Sequence, residues 1–193
     1  MCRVGKQLSG WILSVFYSRD SKVLLTLFNS LVRSKLEYGC QIWDPFKIRE
    51  IDTIEQVQRY FTSKFRNFKD MNYWERLEKL GIMSLQRRRE KLTLLLVWKI
   101  KYGGVPNVID LNFVNTNTRS GTKALVRPMP RVNGSLLTLF ENCFAVKAAK
   151  LWNKLPPNIQ SIDSLNMFKQ KLDLFLKSFP DNPPVRGYED TIT

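Results

Sequence analysis

From Asp20 to Gly39, apolar residues recur at Val23, Leu24, Leu27, Phe28, Leu31, Val32 and Leu36, a three-and-four spacing that the alternation of a strand cannot satisfy. The same spacing returns at Ile51, Ile54, Val57, Phe61, Phe65 and Phe68. It returns once more at Leu165, Phe168, Leu172, Phe175, Leu176 and Phe179. Stripes of this kind are buried only when helix packs on helix, so the pattern predicts an all-α chain.

Punctuation residues set the ends of the predicted helices. A first helix is expected over residues 6–17, with Leu8, Trp11, Ile12 and Val15 on one face, and a second from the N-cap Asp20 to the left-handed cap Gly39. Pro45 bars helix just before it, and a third helix is expected over 47–68. A short helix follows, opened by Asn72 with Glu75 three residues on and closed by Gly81. Ser84 caps a longer one that reaches about Tyr102; its run Leu94 to Trp98 is apolar on every side and is expected to be enclosed. Residues 112–135 are polar and turn-rich and read as a basic loop with short extended pieces. Helices over 136–153 and 164–179 complete the pattern, separated at Pro156 and Pro157. A seam near 67–72 divides the chain into a helical segment over 1–70 and a second helical unit over 71–179, followed by an irregular tail over 180–193.

Composition narrows the chemistry. Histidine is absent, which removes imidazole acid–base work, His metal sites and Ser-His or Cys-His nucleophiles. Cys2, Cys40 and Cys143 have no Cys-x-x-Cys spacing, and their odd number fits a reducing compartment, nucleus or cytoplasm. No apolar run approaches the ~20 residues of a membrane span. Asp52 and Glu55 share a face with arginines and read as solvated, and no phosphate-loop motif or Asp-Asp pair is present, so no catalysis is expected from this chain alone. Trp43, Trp74, Trp98 and Trp152 sit at helical spacing with Leu and Ile and read as core rather than base-stacking platforms.

The net charge of +14, from 31 Lys and Arg against 17 Asp and Glu, calls for a polyanionic partner. Arg87, Arg88 and Arg89 lie in the first turns of a helix, where the macrodipole disfavours cations and a bound phosphate would reverse the preference; Lys91 is one turn beyond Arg87. The alternative is a solvated collar paired with Glu90, or with Glu75 and Glu78. Arg49, Arg59 and Arg66 form the polar side of the helix over 47–68, either as a solvated face or as a second phosphate-contacting one. In the loop, Arg119, Lys123, Arg127 and Arg131 have no acidic residue among them.

Several segments also resemble a known family. Ser30-Leu-Val-Arg-Ser-Lys-Leu-Glu-Tyr-Gly-Cys-Gln-Ile-Trp-Asp-Pro45 is similar to the segment just after the palm in reverse transcriptases of jockey-like LINE (non-LTR) retrotransposons. Leu80-Gly-Ile-Met-Ser-Leu-Gln-Arg-Arg-Arg-Glu90, Gly104-Val-Pro-Asn107, Lys150-Leu-Trp-Asn-Lys-Leu-Pro-Pro157 and Phe168-Lys-Gln-Lys-Leu172 resemble the downstream part of the same polyprotein, and the likeness covers residues 6–188. It implies a helical thumb that grips template–primer duplex, followed by a post-polymerase region that helps to hold RNA. It also implies that the catalytic aspartates and their magnesium belong to a palm this sequence lacks, so no cofactor is expected. RNA or an RNA/DNA duplex is the partner implied. A structural or protein-interaction module, associating with itself or with a palm and fingers partner, is the alternative.

Overall fold

The computed structural model describes residues 2–66, 68–115, 123–128 and 134–181, and they are predominantly helical, as the periodicity predicts. They form two compact units, one comprising the chain up to Arg89 together with Asp181, the other Glu90–Pro180. The expected seam near 67–72 falls inside the first unit, because Phe65, Phe68 and Leu85 share one apolar core with Ile12, Phe28 and Phe61.

The first unit holds α1 (Cys2–Val15), α2 (Ser21–Leu27), a π-helical segment (Phe28–Arg33), α3 (Ser34–Glu37), α4 (Cys40–Trp43), α5 (Ile48–Thr62), α6 (Tyr73–Leu80) and the first turn of α7 (Leu85–Lys101). Asp20 caps α2 by accepting from the amides of Lys22 and Val23 at 3.0 and 3.1 Å. Leu24, Phe28, Val32 and Leu36, four residues apart, are all buried. In an ideal α-helix a four-residue repeat drifts round the axis. The wider π turn between α2 and α3 offsets that drift and keeps the stripe on the core. Gly39 takes the left-handed conformation at φ 60° that lets α4 start in a new direction.

Two expectations change here. The buried face of α1 is Gly5, Ser9 and Ile12, whereas Trp11 and Val15 are exposed. Small residues allow close approach: a Cβ on Gly5 would lie 3.0 Å from Leu36 Cδ2. The third helix stops at Thr62 instead of 68, yet Phe65 and Phe68 stay buried, edge-on in a series in which Phe28 stacks on Phe61 at 4.9 Å and Phe61 meets Phe65 at 5.5 Å.

The second unit holds the rest of α7, a ladder of β1 (Phe113–Asn115) and β2 (Lys123–Leu125), then α8 (Ser135–Glu141), α9 (Phe144–Asn153), α10 (Pro157–Gln160) and α11 (Leu165–Lys177). The strands pair antiparallel with Val114 opposite Ala124, and are the short extended pieces expected in the basic loop. The single helix expected over 136–153 is broken at Asn142 and Cys143. Trp98 and Trp152 are core residues, as predicted, with Phe168 5.8 and 6.1 Å from their rings. Trp98 Nε1 donates to the Ile162 carbonyl at 2.7 Å, which satisfies its buried polar atom. Leu94, Val97 and Trp98 are enclosed, while Leu95 and Leu96 are only half-buried, so the apolar run of α7 is less fully covered than expected.

Candidate functional site

The start of α7 has the predicted cap: Ser84 Oγ accepts from the Arg87 amide at 3.0 Å. Its positive end is already filled. The Ser84 amide donates to Asp181 Oδ2 at 2.8 Å, and the Leu85 amide donates to both oxygens of Glu55 at 3.1 Å. These carboxylates meet the macrodipole and the unpaired N–H groups that a phosphate was expected to meet.

The three arginines face inward. Arg87 and Arg89 are each 2% exposed. Arg87 Nε lies 3.9 Å from Asp181 Oδ1, Arg88 grips Glu37 with both Nε and Nη2, the latter at 2.9 Å, and Arg89 Nε donates to Asp44 Oδ1 at 2.6 Å. The partners come from α3, from the end of α4 and from Asp181, whereas Glu75 closes the capping box of α6 with Asn72. The expectation of a phosphate-binding helix start therefore gives way to an ion-paired clamp that fixes residues 37–44 and Asp181 onto α7. Charge-assisted, two-pronged pairs such as Arg88–Glu37 are the strong class of hydrogen bond. Lys91 pairs with Asp173 of α11, within the second unit, at 2.5 Å.

Glu55 is the residue that sequence reasoning misplaced most. Read as solvated with Asp52, it is wholly buried and accepts from the Tyr73 hydroxyl as well as from Leu85. Burial raises its pKa above the ordinary value, while the Tyr73 and Leu85 hydrogen bonds and the Arg89 charge act in the opposite direction. Gln58 Nε2, also buried, donates to the Tyr73 oxygen at 3.1 Å. The signal available in the sequence was position: Glu55 and Gln58 sit among Ile51, Ile54 and Val57 on the apolar side of the helix.

The remaining candidates disperse. Arg49 is exposed on α5. Arg59 is half-exposed, 3.2 Å from Asp52, and opens onto a hollow shared with Lys6 and Arg76. Arg66 lies beyond the end of α5, exposed beside a separate hollow of about 290 Å³ that it shares with Arg19 and Lys79. Arg59 and Arg66, expected on one helical face, thus open onto two different hollows, each lined by cations that sequence reasoning did not single out, the second also by Asp20. Lys123 stands opposite Asn115 in the strand ladder, Arg127 is exposed and 3.8 Å from Glu141, and Arg119 and Arg131 lie outside the described residues.

Among the described residues no helix is long and apolar enough to cross a membrane. Comparison with protein-family models, with curated proteins and with solved structures gives no match for this chain.

Proposed function

We propose that this chain binds the backbone of RNA or an RNA/DNA duplex, as a non-catalytic, carboxy-terminal portion of a non-LTR retrotransposon reverse transcriptase without polymerase activity of its own. The observation that carries the reading is how its charge is partitioned. Glu37, Asp44, Glu55 and Asp181 are committed to the interior of the first unit, while Lys35, Lys47, Arg49, Lys64, Arg66 and Lys69 are exposed. Arg87, Arg88 and Arg89 balance Asp181, Glu37 and Asp44 there, so the surplus of a chain that carries +14 is left to the surface, where a phosphate backbone supplies counter-charge. Arg49, Arg59, Arg66 and the loop cations remain as contacts; Arg87 to Arg89 become the frame that holds their scaffold.

Fluorescence anisotropy with a labelled RNA, titrated at increasing potassium chloride, tests this. With ~6 phosphate contacts, log K against log salt falls with a slope of about −4 to −5, and Arg49→Glu with Arg66→Glu flattens it by about 2. Undetectable or salt-independent binding overturns the proposal. Primer extension by the pure chain with magnesium and deoxynucleoside triphosphates gives no product.

A protein-docking role has one observation in its favour. Val4, Trp11 and Val15 are exposed on one line of α1, an apolar stripe without cover. Concentration-dependent sedimentation without nucleic acid, abolished by Trp11→Glu, would favour that reading.

A further inference from the structure

Lys6 of α1, Gln56, Arg59, Tyr60 and Ser63 along α5 and just past its end, and Arg76 of α6 line a hollow of about 580 Å³ within the first unit. Three of these residues are cationic and none is acidic. Arg76 is 6% exposed, yet its Nε has no hydrogen-bond partner among the described residues, and its Nη2 makes only a long 3.4 Å contact to the Arg59 carbonyl. Both guanidiniums lie over the same Tyr73 ring, Arg59 at 5.1 Å and Arg76 at 5.8 Å from its centroid. Burial above all, and then the Arg59 charge, lower the pKa of Arg76, with Tyr73 acting against them. Asp52 answers Arg59 alone; among the described residues no carboxylate pairs with Arg76 or Lys6. A buried guanidinium with an idle donor beside a second cation is costly unless an anion completes it.

We propose that this hollow holds the phosphate group of a nucleotide unit. The need for an anion rests on Arg76 and its neighbours; the choice of phosphate rests on the nucleic-acid reading above. Guanidinium forks match the geometry of phosphate oxygens. The volume lies within the ~300–1,000 Å³ of small-molecule sites, enough for a sugar and base as well. Tyr60, 47% exposed, offers an aromatic ring for that base, and Gln56 and Ser63 offer polar atoms for the sugar.

Titration calorimetry of the full chain with AMP, with the dinucleoside monophosphate ApA and with adenosine decides it. AMP and ApA bind and adenosine does not; adenosine binding as tightly as AMP, or neither phosphate ligand binding at millimolar concentration, overturns the proposal. Lys6→Glu, Arg59→Gln and Arg76→Gln each weaken AMP or ApA about tenfold, the worth of one hydrogen bond to a charged group. Arg76→Gln is read only where its far-ultraviolet circular dichroism matches the parent. Lys6→Glu, on an exposed side chain, carries the test otherwise, and unchanged affinity in it and in Arg59→Gln overturns the site. Tighter binding of ApA supports the site with a strand phosphate as the source, tighter binding of AMP with a terminal one. RNA bound by a chain that ignores both small ligands overturns the pocket and leaves the RNA reading standing, and AMP bound without RNA does the reverse.

Discussion

Glu55 shows how one side chain can set a pH response. The folded protein holds its proton more tightly than the unfolded chain does, because burial raises its pKa from the ordinary 4.5. Folding therefore takes up a proton between that value and the raised one, and the contribution of Glu55 to stability falls as pH rises through that window. Glu55→Gln keeps an acceptor for the Tyr73 hydroxyl and the Leu85 amide but has nothing to titrate. In urea melts from pH 4.5 to pH 8 the wild type loses stability relative to Glu55→Gln as pH rises; a constant difference would contradict this account. The same neighbourhood shields Cys40, whose thiol is pushed up to about 11, first by burial and then by Asp44. Iodoacetamide at pH 8 is expected to label the partly exposed Cys2 and Cys143 in the native protein and to reach Cys40 only after denaturation, as peptide mass spectrometry would show. Neither environment was legible in the sequence. Glu55 finds Tyr73 18 residues on and Leu85 30 residues on, beyond the reach of any helical wheel.

Among the elements, α7 carries the clearest lesson. Its local signals were readable: Ser84 caps it, and the Asn72–Glu75 box and Gly81 bound the helix before it, as their chemistry requires. What Arg87, Arg88 and Arg89 do was not readable, because Asp44 and Glu37 lie 45 and 51 residues away and an unfavourable dipole placement fits a clamp as well as a phosphate site. The distinction has a consequence for mutagenesis. Arg89→Ala removes the donor that meets Asp44 at 2.6 Å and costs roughly 1.5–3 kcal/mol, the usual range for a hydrogen bond to a charged group. Replacing all three arginines by Glu sets new carboxylates against Glu37, Asp44 and Asp181. Loss of the cooperative thermal transition is expected, whereas a variant that stays folded and loses only RNA binding would restore the phosphate reading of this helix start. The π-helical segment was equally hidden, since a four-residue repeat in sequence looks like an ordinary amphipathic helix. The fate of the stripe on α1 turned on Gly5 and Ser9, which a count of apolar residues passes over.

For the whole molecule, periodicity sufficed to place the chain among all-α folds, because burial of long stripes leaves few other solutions. The division into compact units was less accessible: the turn-rich stretch near 67–72 looks like a boundary, yet its flanking phenylalanines belong to a single core. The basic loop was legible as composition and its strand ladder only as a tendency, since pairing depends on which residues meet. Asp181 extends the first unit with a residue far along the chain. Asp181→Ala, which strips the Ser84 amide and hydroxyl of their acceptor and removes one carboxylate facing Arg87, is expected to lower stability by about 1–3 kcal/mol. Chemical denaturation checks it, and a variant that melts like wild type would remove Asp181 from the account.

That acceptor also imposes an order on biosynthesis. Ser84 and Asp181 stand 97 positions apart, so at a ribosome adding 5–20 residues each second the first unit waits roughly 5–20 s for its final carboxylate. During that interval Glu37 and Asp44, made earlier, can already meet Arg88 and Arg89, while the Ser84 amide and hydroxyl still lack the carboxylate that accepts from them. Emergence of Asp181, rather than of Arg89, is the moment at which the first unit gains this contact.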